Sequence, residues 1–251
     1  MTTGANLRTN KKNASAAPRA RPGKVEASPS DSSPDASQLP PKGRELILAA
    51  ALRLMAEKGV DAVSLREINL ESGLRNASGV QYHFGRREGL ILAILDQGMT
   101  RVDARRRHLL LDLEVEAPVA ARDVIRALVE PLAEELHSER GRQYLMILQQ
   151  LGNRPVQSAL DENSSRIHPG LRRCMRLLGP QLAGLPVEIR RERSAHLARF
   201  LLRALSEQAR QHAHGRRPRL ANGAFASNLV DELLALLSAS VSPATLALLG
   251  K

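Results

Sequence analysis

SLREINLESGLRNASGVQYHFGRREGL, residues 64–90, reads as two short helices around a tight turn, followed by an aromatic and basic corner. Ser64 followed by Glu67 is a capping box: the hydroxyl takes a free amide of the first turn while the carboxylate reaches back to the cap. The spacing predicts a helix that starts at Leu65, with Leu65 and Ile68 as a narrow apolar face. Gly73 supplies the positive-φ position that ends it. Asn76 is the N-cap of a second short helix, whose Val80 and Phe84 lie four residues apart and share a face. The opposite face carries Ala77, Ser78 and Gln81. Small and polar side chains at the N-terminal end of such a helix can enter a major groove, where Ser and Gln hydrogen-bond base edges. Tyr82, His83 and Arg87 lie just beyond, suited to phosphate oxygens.

Working outward, a first helix with Ile47, Ala50, Ala51, Leu54 and Met55 precedes Lys58-Gly59-Val60, and Tyr82-His83-Phe84 leads into Glu88-Gly89-Leu90. In order, spacing and residue type, residues 44–95 resemble the DNA-binding domain of the tetracycline-repressor (TetR) family. The resemblance implies an all-α fold, in which an N-terminal three-helix helix-turn-helix domain is joined by a long helix to a C-terminal helical domain for ligand binding and dimerisation. It implies that Arg66 contacts DNA from the start of the supporting helix, that Ser78 and its neighbours face bases, and that Tyr82, His83 and Arg87 clamp phosphate. The DNA-contacting set is accordingly Ser64, Arg66, Arg75, Asn76, Ala77, Ser78, Gln81, Tyr82, His83 and Arg87. The sequence departs from the family pattern at Gln81, where a tyrosine is usual, and at Asn69, where a small residue is usual. The interval from Gly73 to Tyr82 is one residue longer than in common members, with the extra residue near Arg75.

The chain has 251 residues, 43% of them apolar, enough to bury a core in one or two domains. No apolar run approaches the roughly 18 residues of a membrane span, and the single cysteine, Cys174, rules out an internal disulfide framework and fits a reducing cytoplasm. The formal charge is +11, but most of the excess lies outside the helix-turn-helix. Between Ser64 and Arg87 the balance is Arg66, Arg75, Arg86 and Arg87 against Glu67 and Glu71. Net charge alone is weak support for a nucleic-acid partner. The motif carries the claim.

Residues 1–41 are rich in Pro, Ser, Ala and Asn and poor in large apolar side chains, so they are expected to be disordered. Arg8, Lys11, Lys12, Arg19, Arg21 and Lys24 precede the first acid, Glu26. Such a tail is either a solvated tether or a basic arm that follows DNA. There is no apolar centre for a secretory signal.

From Arg86 to about Glu114, apolar residues at Leu90, Ile94, Met99, Val102, Leu109 and Leu113 predict one long helix, roughly 43 Å at 1.5 Å per residue. Gly98 in its middle is expected to weaken or bend it, and Arg101 with Arg105 to Arg107 reads as a solvated face. Further helices are expected at 119–137, with a kink at Pro131, at 141–151, at 171–178, at 187–212 and at 224–240. The division is then a tail at 1–41, the helix-turn-helix domain at 42–90, a connecting helix at 91–116 and a ligand-binding and dimerisation domain at 117–251.

By the family resemblance, residues 187–212 and 224–240 form a homodimer with their copies, and Leu233, Leu234, Leu236 and Leu237 give the last of these helices a wide apolar face. On the same ground Tyr144, Met146, Gln149, Cys174, His196, Arg199 and Phe200 belong to helices that line an effector cavity. With no Trp and few aromatic residues, an aliphatic or acyl ligand suits that cavity better than a stacked ring. No catalytic constellation, metal-ligand spacing or cofactor motif is found. The sequence therefore points to a cytoplasmic bacterial regulator, associated with the nucleoid when bound to a double-stranded DNA operator. Repression released by a small-molecule effector is the expected mode. A low-specificity architectural DNA-binding protein and an all-helical enzyme are the competing classes.

Overall fold

Every regular element among the described residues is helical: a computed structural model describes residues 41–74, 79–113, 119–152 and 168–250. The tail expected at 1–41, the expected cap Asn76 and the candidates Arg75, Ala77 and Ser78 lie outside the described residues, apart from residue 41 itself.

The first helix, α1 (Pro41–Lys58), buries Ile47, Leu48, Ala51, Leu54 and Met55. Gly59, at φ +101°, turns the chain out of it, and its amide still donates to the Met55 carbonyl at 3.0 Å. α2 (Leu65–Glu71) starts where the capping box puts it, with Ser64 Oγ accepting from the Glu67 amide at 3.1 Å. Gly73 at φ +68° follows its end. α3 (Gly79–Phe84) is short and buries Gly79 and Val80.

α4 (Arg87–Leu113) is a single helix of 27 residues, about 40 Å long at 1.5 Å per residue. Behind it come α5 (Ala121–Ala133), continued by a 3₁₀ turn at Glu134–His137, then α6 (Glu139–Gly152), α7 (Pro169–Leu178), α8 (Val187–Ala213), α9 (Asn222–Ser238) and α10 (Pro243–Leu249). α6 lies along α8, α5 packs on α9 and α4, and α7 touches both α4 and α5. α1 packs against α6, so the helix-turn-helix rests directly on the rear helices as well as on α4.

Two breaks in helical propensity have packing reasons. Gly98 is needed because the Tyr144 ring lies on it: a Cβ there would stand 2.1 Å from a ring carbon. Pro131 sits inside α5 and has no amide to donate to the carbonyl four residues back. That carbonyl, Ala127 O, is taken by Arg106 Nε at 3.1 Å. Arg106 is only 2% exposed and its Nη1 also pairs with Asp103 at 3.3 Å. Asp103 in turn accepts the first free amides of α7, Gly170 N at 3.0 Å and Leu171 N at 2.9 Å. One buried ion pair on α4 thus completes the backbone hydrogen bonding of both α5 and α7.

The arginine run is therefore a solvated face at Arg101, Arg105 and Arg107 but not at Arg106. Arg101 bonds Glu135 at 2.9 Å, Arg105 bonds Glu134 at 2.8 Å, and Arg106 is interior. The expectation failed at Arg106 because its burial is set by α5, whose Ala127 carbonyl lies 21 residues on, where a local charge count does not look. α10 was also unforeseen. It is set by Ser242, whose Oγ accepts from the Thr245 amide at 3.2 Å, and by Pro243 in its first turn.

Candidate nucleic-acid interface

The supporting helix and the reading helix are joined through Asn69. Its side-chain Oδ1 accepts from the Val80 amide, the first turn of α3, at 3.1 Å, and Ser72 Oγ donates to the Asn69 carbonyl at 2.7 Å. Asn69 is nearly buried and Gly79 lies against it, where a Cβ would come 3.4 Å from Oδ1. Asn69 thus caps α3 from the side with its carboxamide. Val80 is fully buried. With that side chain inward, Gln81 and Tyr82 are exposed, Tyr82 at 45%.

Tyr82 and His83 meet edge to face, with ring centroids 5.1 Å apart. His83 Nε2 is buried and has no hydrogen-bond partner among the described residues. The Arg44 guanidinium lies 5.2 Å from the centre of the Phe84 ring and ties α1 to the end of α3. Arg66 is exposed on α2, one residue after the start of the helix.

Ser64, at the surface, and Arg87, half-buried, both make bonds within the protein. The Ser64 hydroxyl is the α2 cap, and the Arg87 guanidinium donates to the carbonyls of Val60 and Val63. Arg87 is half-buried and holds the α1–α2 turn onto the foot of α4, a position different from the phosphate contact expected of it. The Glu67 carboxylate pairs with Lys58 and also takes a weaker hydrogen bond from the backbone of Ser64, the returning half of the capping box. The Lys58–Glu67 hydrogen bond holds the Glu67 carboxyl below its usual value and raises the Lys58 ammonium above its own.

The candidate effector residues fall into two groups. Tyr144, Met146 and Cys174 are buried in the core. Tyr144 OH has no partner among the described residues and burial pushes its pKa up, while burial raises the Cys174 thiol to about 11. Gln149, His196, Arg199 and Phe200 instead line an open concavity of about 490 Å³ with Arg203 and Leu236, between α6, α8 and α9. There Phe200 is 43% exposed and His196 pairs with Glu192 at 3.0 Å. Sequence periodicity alone does not distinguish these two faces. Among the described residues, no group of three or more His, Cys, Asp or Glu side chains is placed to hold a metal ion, and no single helix is long and apolar enough to cross a membrane.

Residues 47–94 match the family model described as bacterial regulatory proteins, tetR family. The chain is similar in fold to a TetR-like transcriptional regulator from Rhodococcus sp. RHA1, at 17% identity and a TM-score of 0.50, covering 81% of this chain and all of that one. A TetR family transcriptional regulator, PfmR, from Thermus thermophilus aligns at 20% identity over 78% of this chain and 99% of that one, with a TM-score of 0.45. No match is found among the curated proteins. The match places a tetR-type helix-turn-helix domain in residues 47–94, and the likeness to the Rhodococcus structure shows an all-helical, TetR-like fold.

Proposed function

We propose that the protein is a sequence-specific homodimeric regulator, a repressor released from a near-palindromic operator by a small molecule. The observation that carries the reading is α3: Val80 buried, Asn69 holding its first turn, and Gln81 and Tyr82 turned to solvent at an aromatic corner. In this reading 42–90 is the DNA-binding domain, 91–116 the connection, and 117–251 the sensor and dimerisation domain. Gln81, with Ser78 and its neighbours, reads base edges, and Tyr82, His83 and Arg66 position the helix on phosphate. Ser64 and Arg87 act by shaping the surface that the other residues present.

Homodimerisation runs through α8 and α9. Phe200 is exposed there and Leu234 and Leu236 are only half-buried, and two reading helices on one dimer fit half-sites roughly 34 to 36 Å apart. His196, Arg199 and Phe200 then belong to the dimer face. The effector, aliphatic or acyl in character, is left to the interior around Tyr144, Met146 and Cys174. The protein acts in the cytoplasm in this reading.

Selection of duplexes from a random-sequence pool by the full chain tests the core of this proposal. A regulator recovers one near-palindromic sequence, bound by a dimer. Recovery of all sequences alike would point to an architectural DNA-binding protein, and no binding would reopen the enzyme class. On the selected duplex, Tyr82→Phe and His83→Ala weaken binding without lowering the melting temperature. Gln81→Ala shifts preference at particular positions by about 1 to 3 kcal/mol.

A further inference from the structure

The turn between α1 and α2 is gripped from two sides. Arg87, at the foot of α4, takes the carbonyl of Val60. The amide of the same residue donates to Gln150 Oε1, on the last turn of α6, at 2.8 Å. Gly59 lies against that carboxamide, where a Cβ would come 3.7 Å from Oε1. The neighbouring side chain, Gln149, is nearly buried and accepts from Arg210 Nη2 of α8 at 3.2 Å. Adjacent glutamines on one helical turn therefore hold the reading head on one side and α8 on the other.

We propose that Gln150 is a positioning residue for DNA recognition, and that the last turn of α6 links α8 to the helix-turn-helix independently of α4. The physical reason is the route of the chain after Val60. The turn it anchors leads through the Ser64 cap into α2, and Asn69 of α2 holds the first turn of α3. A shift of α6 relative to α1 breaks the Val60 bond or carries the turn with it. Either outcome alters the angle at which α3 is presented. A half-buried hydrogen bond is a suitable latch because its net worth is small enough to be broken by a modest bias. The inference rests on the regulator reading above, and names two residues through which the rear helices reach the DNA surface.

The test uses the full chain and the duplex that it selects from a random-sequence pool. Gln150→Met removes the acceptor and keeps the stem, whereas Gln150→Glu keeps an oxygen acceptor at the same reach. Gln150→Met is expected to bind the duplex about two- to tenfold more weakly, with the melting temperature lowered by only a few degrees. Gln150→Glu is expected to recover most of that loss. By reciprocity, duplex binding slows amide hydrogen exchange at Val60 and along the last turn of α6 in the natural sequence, and the α6 effect disappears in Gln150→Met. Equal affinity of Gln150→Met and the natural sequence would overturn the proposal, as would a Gln150→Glu variant no better than Gln150→Met. Failure of the natural sequence to select any duplex would instead remove the regulator reading itself.

Discussion

Arg87 and Arg106 sit on the same helix, each next to another arginine, and each sends its guanidinium to a backbone carbonyl of another element. They differ in depth. Arg106 is 2% exposed and is paired with the buried Asp103, which also caps α7. Arg87 is half-buried and holds only the turn that precedes α2. The comparison separates two uses of one residue type: at depth an arginine completes the fold, and near the surface it sets the posture of a neighbouring loop.

The largest expected effect lies at depth. Arg106→Ala leaves the buried Asp103 with only the exposed Arg107, at 3.7 Å, as its cation and Ala127 O without a donor, and breaking a buried pair from one side costs roughly 3 to 5 kcal/mol. Denaturant unfolding measures this directly. A loss under about 1 kcal/mol would mean that water reaches both groups, and the contrast with Arg87 would collapse. Arg87→Ala is expected to cost less, about 1.5 to 3 kcal/mol for two charge-assisted bonds to carbonyls. It should also weaken DNA binding by loosening the α1–α2 turn, with the salt dependence unchanged. A fall in the salt slope of about 0.9 would instead assign Arg87 to a phosphate.

The same contrast explains what was legible in the sequence. Ser64, Gly73, Val80 and Phe84 make a pattern whose causes are all within a few residues, so the helix-turn-helix could be read at once. The long periodic helices at 87–113, 187–213 and 222–238 were equally readable, because each buries one stripe over many turns. Arg106 looked like its neighbours because Ala127 O is 21 residues away, and the α7 amide that its neighbour Asp103 accepts is 67 residues from Asp103. Gln150 gave no signal for the same reason, with its donor 90 residues earlier. The split of the effector candidates into a core group and a concave face depends on which side of α8 meets α6 and α9. Helical spacing does not carry that information. One local clue was available: Pro131 inside a helix demands a donor for the carbonyl four residues back, and a run of arginines could supply it.

Gly98→Ala sharpens the comparison from the apolar side of α4. Alanine is the better helix former by about 1 kcal/mol, yet its Cβ would be driven into the Tyr144 ring, and overpacking of that kind costs about 1 to 3 kcal/mol. Packing should win, giving a small net destabilisation in thermal unfolding. A stabilised variant would show that the ring can step aside, and that α4 and α6 are less tightly locked than the Arg106 cluster implies.

The smallest effect belongs to the exposed end of the series, the Lys58–Glu67 pair beside the turn that Arg87 holds. Its sign follows from the two shifts. The Glu67 carboxyl is lowered from 4.5, so its contribution is present above that value and is lost as pH falls through the lowered one. The Lys58 ammonium is raised from 10.5, so its contribution is complete below that value and is lost as pH rises through the raised one. Between these limits the pair adds a constant, small term, because both groups are solvated and salt screens them. The melting temperature of Glu67→Gln should therefore lie slightly below that of the natural sequence near neutral pH, by an amount that shrinks in high salt and vanishes once acid protonates the Glu67 carboxylate. A difference that persists in acid would mean that the side chain acts through the α2 amides and not through Lys58. The contact of Glu67 with the Ser64 backbone would then be the one that matters.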